Sequence, residues 1–277
     1  MKITSSSNTR VRRHLTDRKK AVDPNIDRHV AKIIDDVRRR GDRALIDYAR
    51  RFDGLTEPVE VSAREIRRGA AETPSAVQTA LRKSAIYIRR IAKLQVPRQW
   101  RSQAVPGVVV EQRVTPLARV GCYVPGGRYP LPSSLLMTAI PARVAGVSEV
   151  IAVCPRLEPA VCSAALEAGI TRLFRIGGAH AIAALAYGTK SVPRVDKIAG
   201  PGSTFVASAK AKVSTDCPID FFAGPTEIVI VASKGNPDWL AADLVAQAEH
   251  DPDARAVLLT PSTVSYTHLT LPTILLV

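Results

Sequence analysis

Hydrophobic positions in the first hundred residues recur with a helical period. One apolar face of a helix is predicted by residues at i, i+3, i+4 and i+7, namely Val30, Ile33, Ile34 and Val37. Gly41 is typical of a residue that ends such a helix, and Asp42 is typical of one that caps the next. The spacing Ser62-x-x-Glu65 is a capping-box pattern, which predicts the start of a further helix. These patterns indicate a helical scaffold and no particular chemistry.

From about Val108 the chain changes to an alternation of strands and helices. The predicted strands are 108–114, 120–127, 149–155, 172–178 and 195–202. The predicted helices between and after them are 133–146, 160–169, 179–188 and 203–213. Strands joined by helices at this spacing need parallel crossovers, so the pattern predicts a doubly wound α/β sheet. A strand at 223–233, a helix at 236–250 and a strand at 254–261 follow.

Composition and charge narrow the class of protein. Hydrophobic residues make up 46% and charged residues 23% of the 277 residues, which is typical of a folded globular chain. The formal net charge of +14 raises the alternative of a basic, nucleic-acid-binding α/β protein. The basic residues are scattered along the chain instead of forming one stripe or tail, so we expect no nucleic-acid partner. No apolar run reaches the roughly 18 residues of a membrane helix, so we also expect no membrane partner.

The N-terminal segment and the cysteines bear on the compartment. Residues 1–24 are rich in basic residues and serine, as in an organelle transit peptide, but they lead into the first domain without a cleavage-like break. We therefore interpret them as a surface arm. No C-x-x-C pair occurs among the four cysteines, which predicts reduced thiols and a cytoplasmic protein: Cys122, Cys154, Cys162 and Cys217.

Two glycine turns are predicted between a strand and a helix. They are IGGAHA at 176–181 and AGPGSTF at 199–205. Glycine lets the backbone approach a ligand, and a helix N-terminus presents N–H groups to an anion such as pyrophosphate. Neither turn completes G-x-G-x-x-G, since Phe205 occupies the last position of the second, and either turn alone is equally typical of a packing device. Together with YVPGG at 123–127, they favour a nucleotide site.

A glutamine and a histidine three residues apart form the other notable pair. Gln247 and His250 fall on the side of the predicted helix that is marked by Leu240 and Leu244. From spacing alone, a buried histidine with a hydrogen-bond partner is the favoured interpretation. Two ligands do not complete a tetrahedral zinc site, and a glutamine oxygen is an uncommon zinc ligand.

The longer motifs of the chain resemble a known family. The stretches VGCYVPGG, GGAHAIAALAYGT, VPRVDKIAGPG, AGPTEI and LVAQAEHDPDARAVLLTP are similar, in order and spacing, to histidinol dehydrogenases, as is VRRRGDRALIDYARRFDG at 37–54. The resemblance spans about residues 25–261. It implies an enzyme of histidine biosynthesis that oxidises L-histidinol to L-histidine through the aldehyde, with two NAD molecules and one Zn²⁺.

The resemblance also implies roles for individual residues. Three positions match residues that contact NAD: Tyr123, His180 and Ser203. Histidine replaces the usual glutamine at 180, and serine replaces the usual asparagine at 203, so the cofactor site is altered although both side chains still form hydrogen bonds. Three positions match residues that bind the substrate, and the last two of them also match zinc ligands: Thr226, Gln247 and His250.

The family pattern continues beyond this chain. The resemblance places a Glu-His acid–base pair and two further zinc ligands in a part that the sequence does not contain, so we expect the chain alone to be inactive. Residues 262–277, which include His268, match nothing in the family and are interpreted as a non-native tail.

The resemblance implies two Rossmann-like doubly wound domains with the second inserted into the first. Residues 25–121 and 223–261 form the first domain, residues 122–222 form the second, and the full-length protein is a homodimer. A related dehydrogenase of another small polar alcohol is the alternative function.

Overall fold

The computed structural model describes residues 9, 23–126, 131–221, 227–250 and 254–261. Residues 23–221 belong to one compact unit, and the described residues from 227 onward belong to another. The predicted tail at 262–277 and nearly all of the predicted N-terminal arm lie outside the described residues.

Four helices open the larger unit. They are α1 (Pro24–Arg40), α2 (Asp42–Tyr48), α3 (Ala63–Ala71) and α4 (Ser75–Gln95), and α2 continues into a π-helical turn at Ala49–Asp53. The predicted break at Gly41 is confirmed, since this residue has a positive φ of 57° between α1 and α2. The predicted cap of α3 is confirmed as well, since Ser62 Oγ accepts a hydrogen bond of 3.2 Å from the backbone N–H of Glu65.

The described part of the same unit also contains seven strands and four further helices. The strands are β1 (Glu60–Val61), β2 (Trp100–Val105), β3 (Val108–Gln112), β4 (Arg119–Tyr123), β5 (Glu149–Val153), β6 (Arg172–Phe174) and β7 (Lys197–Ala199). The helices are α5 (Pro132–Val144), α6 (Pro159–Ala168), α7 (Gly178–Tyr187) and α8 (Thr204–Val213).

Five of these strands form one sheet in the order β1-β6-β5-β4-β7. The four strands β6, β5, β4 and β7 are parallel, and β1 adds to β6 in the antiparallel sense. The α5 and α6 crossovers carry the chain from β4 to β5 and on to β6, whereas the α7 crossover returns it to the opposite side of β4. This order confirms the predicted doubly wound α/β class.

Helices cover both faces of the sheet. Alternate residues of β5 enter opposite cores, with Ile151 and Val153 on the α1, α7 and α8 side and Val150 and Ala152 on the α4, α5 and α6 side. Both sets are fully buried, as expected of a central strand in a parallel sheet. The sheet is therefore a rigid platform with covered faces, and ligands can approach its strands at their ends.

A two-stranded hairpin stands apart from the sheet. β2 and β3 pair in the antiparallel sense, and every residue of both strands is exposed. The strand at β3 was predicted, whereas β2 was not, because the segment WRSQAV lacks both a buried alternation and a run of β-branched residues.

The smaller unit contains β8 (Glu227–Val231), α9 (Pro237–His250) and β9 (Arg255–Leu259). The two strands pair in parallel through the α9 crossover. Asn236 caps α9 as predicted, since its Oδ1 accepts a 2.9 Å hydrogen bond from the backbone N–H of Asp238. No helix of the described ranges is both long enough and apolar enough to cross a bilayer.

The predicted domain division stays a prediction. Its boundary between 121 and 122 falls inside β4, so residues on both sides of it share one sheet and its cores. Residues 25–121 and 122–221 therefore belong to one compact unit. Residues 223–261 belong to the other unit, so the predicted association of 25–121 with 223–261 is not described by the structure.

We expect all four cysteines of the folded chain to react slowly with a thiol reagent. Cys122, Cys154, Cys162 and Cys217 are buried and unpaired. Burial raises the pKa of Cys122 to about 12 and that of Cys154 and Cys217 to about 11, so the reactive thiolate is scarce at neutral pH. Ellman's reagent measures this reaction. The exposed position Leu94 supplies the control, because Leu94→Cys should add one fast-reacting thiol. A fast-reacting native thiol would contradict this packing.

Candidate functional site

Both predicted glycine turns lie at the carboxyl edge of the sheet. The first turn follows β6 at Gly177–Gly178, and the second follows β7 at Gly200–Gly202. β4 and β7 are neighbours whose following chain segments leave toward opposite sides of the sheet, which makes their carboxyl ends a topological switch point. Ligands of open α/β sheets bind in the crevice at such a point. The second turn therefore lies where a ligand of such a sheet is expected, whereas the first follows β6, which β5 separates from β4.

The second turn is held tightly against the end of β4. Gly200 has a φ of 122°, and a Cβ at this position would overlap the backbone carbonyl oxygen of Tyr123. The N–H of Gly200 donates to Asp220 Oδ2 at 2.8 Å, and the carbonyl of Gly200 accepts from Lys210 Nζ at 2.8 Å. Lys210 and Asp220 also form an ion pair with each other. The turn is thereby fixed at both its backbone N–H and its carbonyl.

Lys210 and Asp220 are functional candidates that sequence reasoning missed. The Lys210 side chain is fully buried, where an ammonium group is costly unless it is paired and hydrogen-bonded. A signal for it was present: Lys210 falls at i+4 from Val206 and at i−3 from Val213, which places it on the buried face of α8. Its partner Asp220 carries no comparable pattern.

The first turn is occupied by a carboxylate of the chain itself. Asp53, the last residue of the π-helical turn, accepts a 2.9 Å hydrogen bond from the N–H of Gly177 and lies 2.8 Å from His180 Nε2. The His180 side chain is 1% exposed, and the rings of Tyr48 and Phe52 lie 6.1 and 6.2 Å from its ring. The sequence predicted that the N-terminus of α7 could bind a ligand anion. The backbone N–H of Gly177 at this N-terminus already donates to Asp53.

Tyr123 connects the two turns. Its backbone lies against Gly200, and its hydroxyl oxygen accepts a 3.0 Å hydrogen bond from the N–H of Gly178. No described residue accepts the hydroxyl hydrogen itself, and the residue is buried with 4% of its surface exposed. Burial is the main cause that raises the pKa of Tyr123 to about 12, so this donor keeps its hydrogen at neutral pH.

We expect Tyr123→Phe to remove one phenol that ionises near pH 12 in the folded chain. Because the folded pKa exceeds the ordinary tyrosine pKa of 10.0, the unfolded chain loses this proton first. Stability should therefore fall as pH rises between 10.0 and about 12, and this fall should be shallower in the variant. Tyrosinate absorbance and chemical unfolding across this pH range measure both effects. A variant with an unchanged late titration step would contradict the burial of Tyr123.

Ser203 lies at the N-terminus of α8, directly after the second turn. It is exposed and adopts the N-cap position, and its side chain makes no cap hydrogen bond. The structure thus brings the three residues predicted to contact NAD to one edge of the sheet: Tyr123, His180 and Ser203. Ser203 presents an exposed hydroxyl, whereas the side chains of Tyr123 and His180 are both buried.

The structure describes the predicted substrate and metal residues only in part. Thr226 lies outside the described residues. Gln247 is half-buried on α9, and His250 ends this helix with a side chain that is outside the described residues. No group of three potential metal ligands among His, Cys, Asp and Glu occurs in the part of the chain that the structure describes. The predicted zinc site therefore stays a prediction that rests on resemblance.

The parallel sheet, the switch point and the two glycine turns define a doubly wound α/β protein. Comparison with known proteins identifies the family. The family model described as histidinol dehydrogenase matches residues 16–270. The chain belongs to the histidinol dehydrogenase family.

Individual relatives agree with this assignment. The histidinol dehydrogenase of Caulobacter vibrioides is 48% identical over 252 residues, which are 88% of this chain and 58% of the relative. That of Carboxydothermus hydrogenoformans is 45% identical over 251 residues, with 88% and 59% covered. The crystal structure of histidinol dehydrogenase from Elizabethkingia anophelis superposes with a TM-score of 0.85 at 32% identity, over 91% of this chain and 60% of that one. The chain thus spans somewhat less than two thirds of the length of these relatives.

Proposed function

We propose that this chain carries the nucleotide side of a cytoplasmic, NAD-dependent oxidoreductase that converts L-histidinol to L-histidine in the last steps of histidine biosynthesis. Family membership supports the reaction class. The observation that carries the nucleotide assignment is the meeting of both glycine turns with Tyr123 at the switch point of the sheet.

The described residues fit a dinucleotide in three respects. Gly200 lets the second turn lie directly against the backbone of β4 at the switch point, because a side chain there would overlap the carbonyl oxygen of Tyr123. Tyr123 retains a hydroxyl hydrogen for an acceptor such as a phosphate or ribose oxygen. Ser203 adds an exposed hydroxyl at the N-terminus of α8, where anions are favoured. The buried Lys210–Asp220 pair keeps this constellation in place before a ligand arrives.

The substrate side is proposed from the resemblance alone. Thr226 would contact L-histidinol, and Gln247 and His250 would contribute to a site for Zn²⁺ and the substrate. When bound, NAD accepts hydride, and a zinc ion acts as a Lewis acid toward the substrate.

Isothermal titration of NAD into the chain tests the nucleotide assignment. We expect saturable binding of one NAD per chain that persists when the salt concentration is raised, because a preformed crevice recognises more than charge. Because the net charge is +14, anions can also bind non-specifically, and this binding should disappear at moderate salt. Titration at low and at moderate salt therefore separates the two kinds of binding. A folded chain that shows no NAD binding at millimolar concentration would overturn the proposal. Parallel titrations with L-histidinol and with another small polar alcohol, in the presence of zinc, separate the two candidate substrates.

We also propose that the full-length protein is a homodimer. The hairpin β2–β3 and the outer side of α4 expose large apolar residues, including Val109, Ile91 and Leu94. Apolar surface of this kind is typical of protein interfaces. Sedimentation velocity distinguishes the dimer from a monomer, and a monomer at all accessible concentrations would refute this part of the proposal.

A further inference from the structure

Asp53 is remote from the glycine turns in sequence and adjacent to them in space. It is separated by 124 residues from Gly177 and by 127 residues from His180, yet a single carboxylate oxygen contacts both. The Asp53 side chain is only 9% exposed. A carboxylate that is nearly buried and bonded to a strand-to-helix turn fixes the position of that turn.

A local irregularity of the helix brings this carboxylate into place. The chain leaves α2 through the π-helical turn Ala49–Asp53, and Gly54 then reverses it in the left-handed conformation. π-Helical turns are rare and are frequent at functional sites. The same segment continues to Glu57, which pairs with Arg175 at the end of β6 and so attaches the segment a second time.

We propose that Asp53 is a positioning residue for the nucleotide crevice, which it serves by holding the first glycine turn so that Gly178 N–H donates to the Tyr123 hydroxyl. With this oxygen engaged as an acceptor, the hydroxyl directs its own hydrogen to the ligand. Asp53 therefore acts through Tyr123 and makes no contact with the dinucleotide. The inference rests on the proposed function, since it assumes that the ligand of the crevice is NAD.

A double-mutant cycle with NAD as the probe tests the positioning role. The four proteins are the wild type, Asp53→Asn, Tyr123→Phe and the double variant, and titration calorimetry gives the Kd of each. Each single substitution should weaken NAD binding about tenfold, as expected for the loss of one hydrogen bond. The double variant should be little weaker than either single variant, because both act on the same hydroxyl. Independent, multiplying losses or an unchanged Kd for Asp53→Asn would overturn the proposal.

Glu57→Gln is the matched control. It neutralises a carboxylate of the same segment that holds Arg175 and not the turn, so it should leave the Kd for NAD within about twofold. Folding of each variant is verified by the protection of the four thiols. If Asp53→Asn loses this protection, Asp53→Ser takes its place, since its shorter side chain stays polar but withdraws the acceptor from Gly177 N–H.

Amide hydrogen exchange separates this inference from the proposed function. Asp53→Asn should speed exchange of the Gly177 and Gly178 amides, which donate to Asp53 and to the Tyr123 hydroxyl, whereas Glu57→Gln should leave it unchanged. If the wild type binds no NAD, the proposed function fails, and this exchange still decides the positioning role. Unchanged exchange of the Gly178 amide in Asp53→Asn would refute it.

Discussion

Gly200→Ala is expected to destabilise the folded chain by about 3 kcal/mol or more, because two unfavourable effects add at this residue. The backbone of Gly200 has a φ of 122°, a value that residues other than glycine rarely adopt. The new methyl group would also overlap the carbonyl oxygen of Tyr123, a backbone atom in the central part of the sheet that cannot move aside. Urea unfolding followed by circular dichroism measures the loss.

Gly54→Ala separates the two effects. Gly54 also has a positive φ, of 68°, but no atom lies within 4 Å of a Cβ built there. Only backbone strain remains, and we expect a loss of about 1 kcal/mol. Equal losses at both positions would mean that the second turn does not approach β4 as closely as described. Gly200→Ala should in addition abolish NAD binding, whereas Gly54→Ala should retain at least part of it.

Lys210→Met is expected to cost about 3 kcal/mol in the free energy of unfolding, since it leaves a partly buried carboxylate without its cation. Methionine has a similar length, so the packing of α8 is largely retained and the charge is the main change. The carbonyl of Gly200 loses its donor at the same time. Chemical unfolding of both proteins at neutral pH gives the difference.

The neighbouring Lys212 provides the control for this substitution. It lies two residues further along α8, is 28% exposed, and pairs with an exposed carboxylate, Asp27. Lys212→Met should therefore cost less than about 1 kcal/mol. The double variant Lys210→Met with Asp220→Asn should recover part of the loss, because no charge is left without a counterion. If the double variant loses more free energy of unfolding than the two single variants lose together, the pairing of Lys210 with Asp220 is contradicted.

The architecture was predictable because hydrophobic period is a local property. Strands such as Glu149–Val153 are apolar, short and bounded by turn residues, and the helices between them have glycine at their ends. The short β1 was not predicted, because two residues cannot show a period and their pairing with β6 is a tertiary contact.

The candidate site was predictable only in part. Glycine turns are visible in sequence because glycine is required where backbones meet, as at Gly200. The residues that hold these turns are not visible, since Asp53 and Asp220 act through contacts that only the fold creates. The surroundings of His180 were not visible in the sequence either. The family resemblance predicts that His180 contacts NAD, and the structure encloses its ring beside Asp53. Its contact with NAD stays a prediction.

Hydrogen–deuterium exchange with and without NAD tests most directly whether the dinucleotide binds at the switch point of the sheet. We expect saturating NAD to slow exchange in peptides covering residues 123–126 and 200–206, which are the ends of β4 and β7 with the turn between β7 and α8. Exchange in the exposed hairpin, residues 100–112, should stay unchanged. Protection confined to the hairpin, or no protection at the two strand ends despite saturation, would contradict binding of NAD at the switch point.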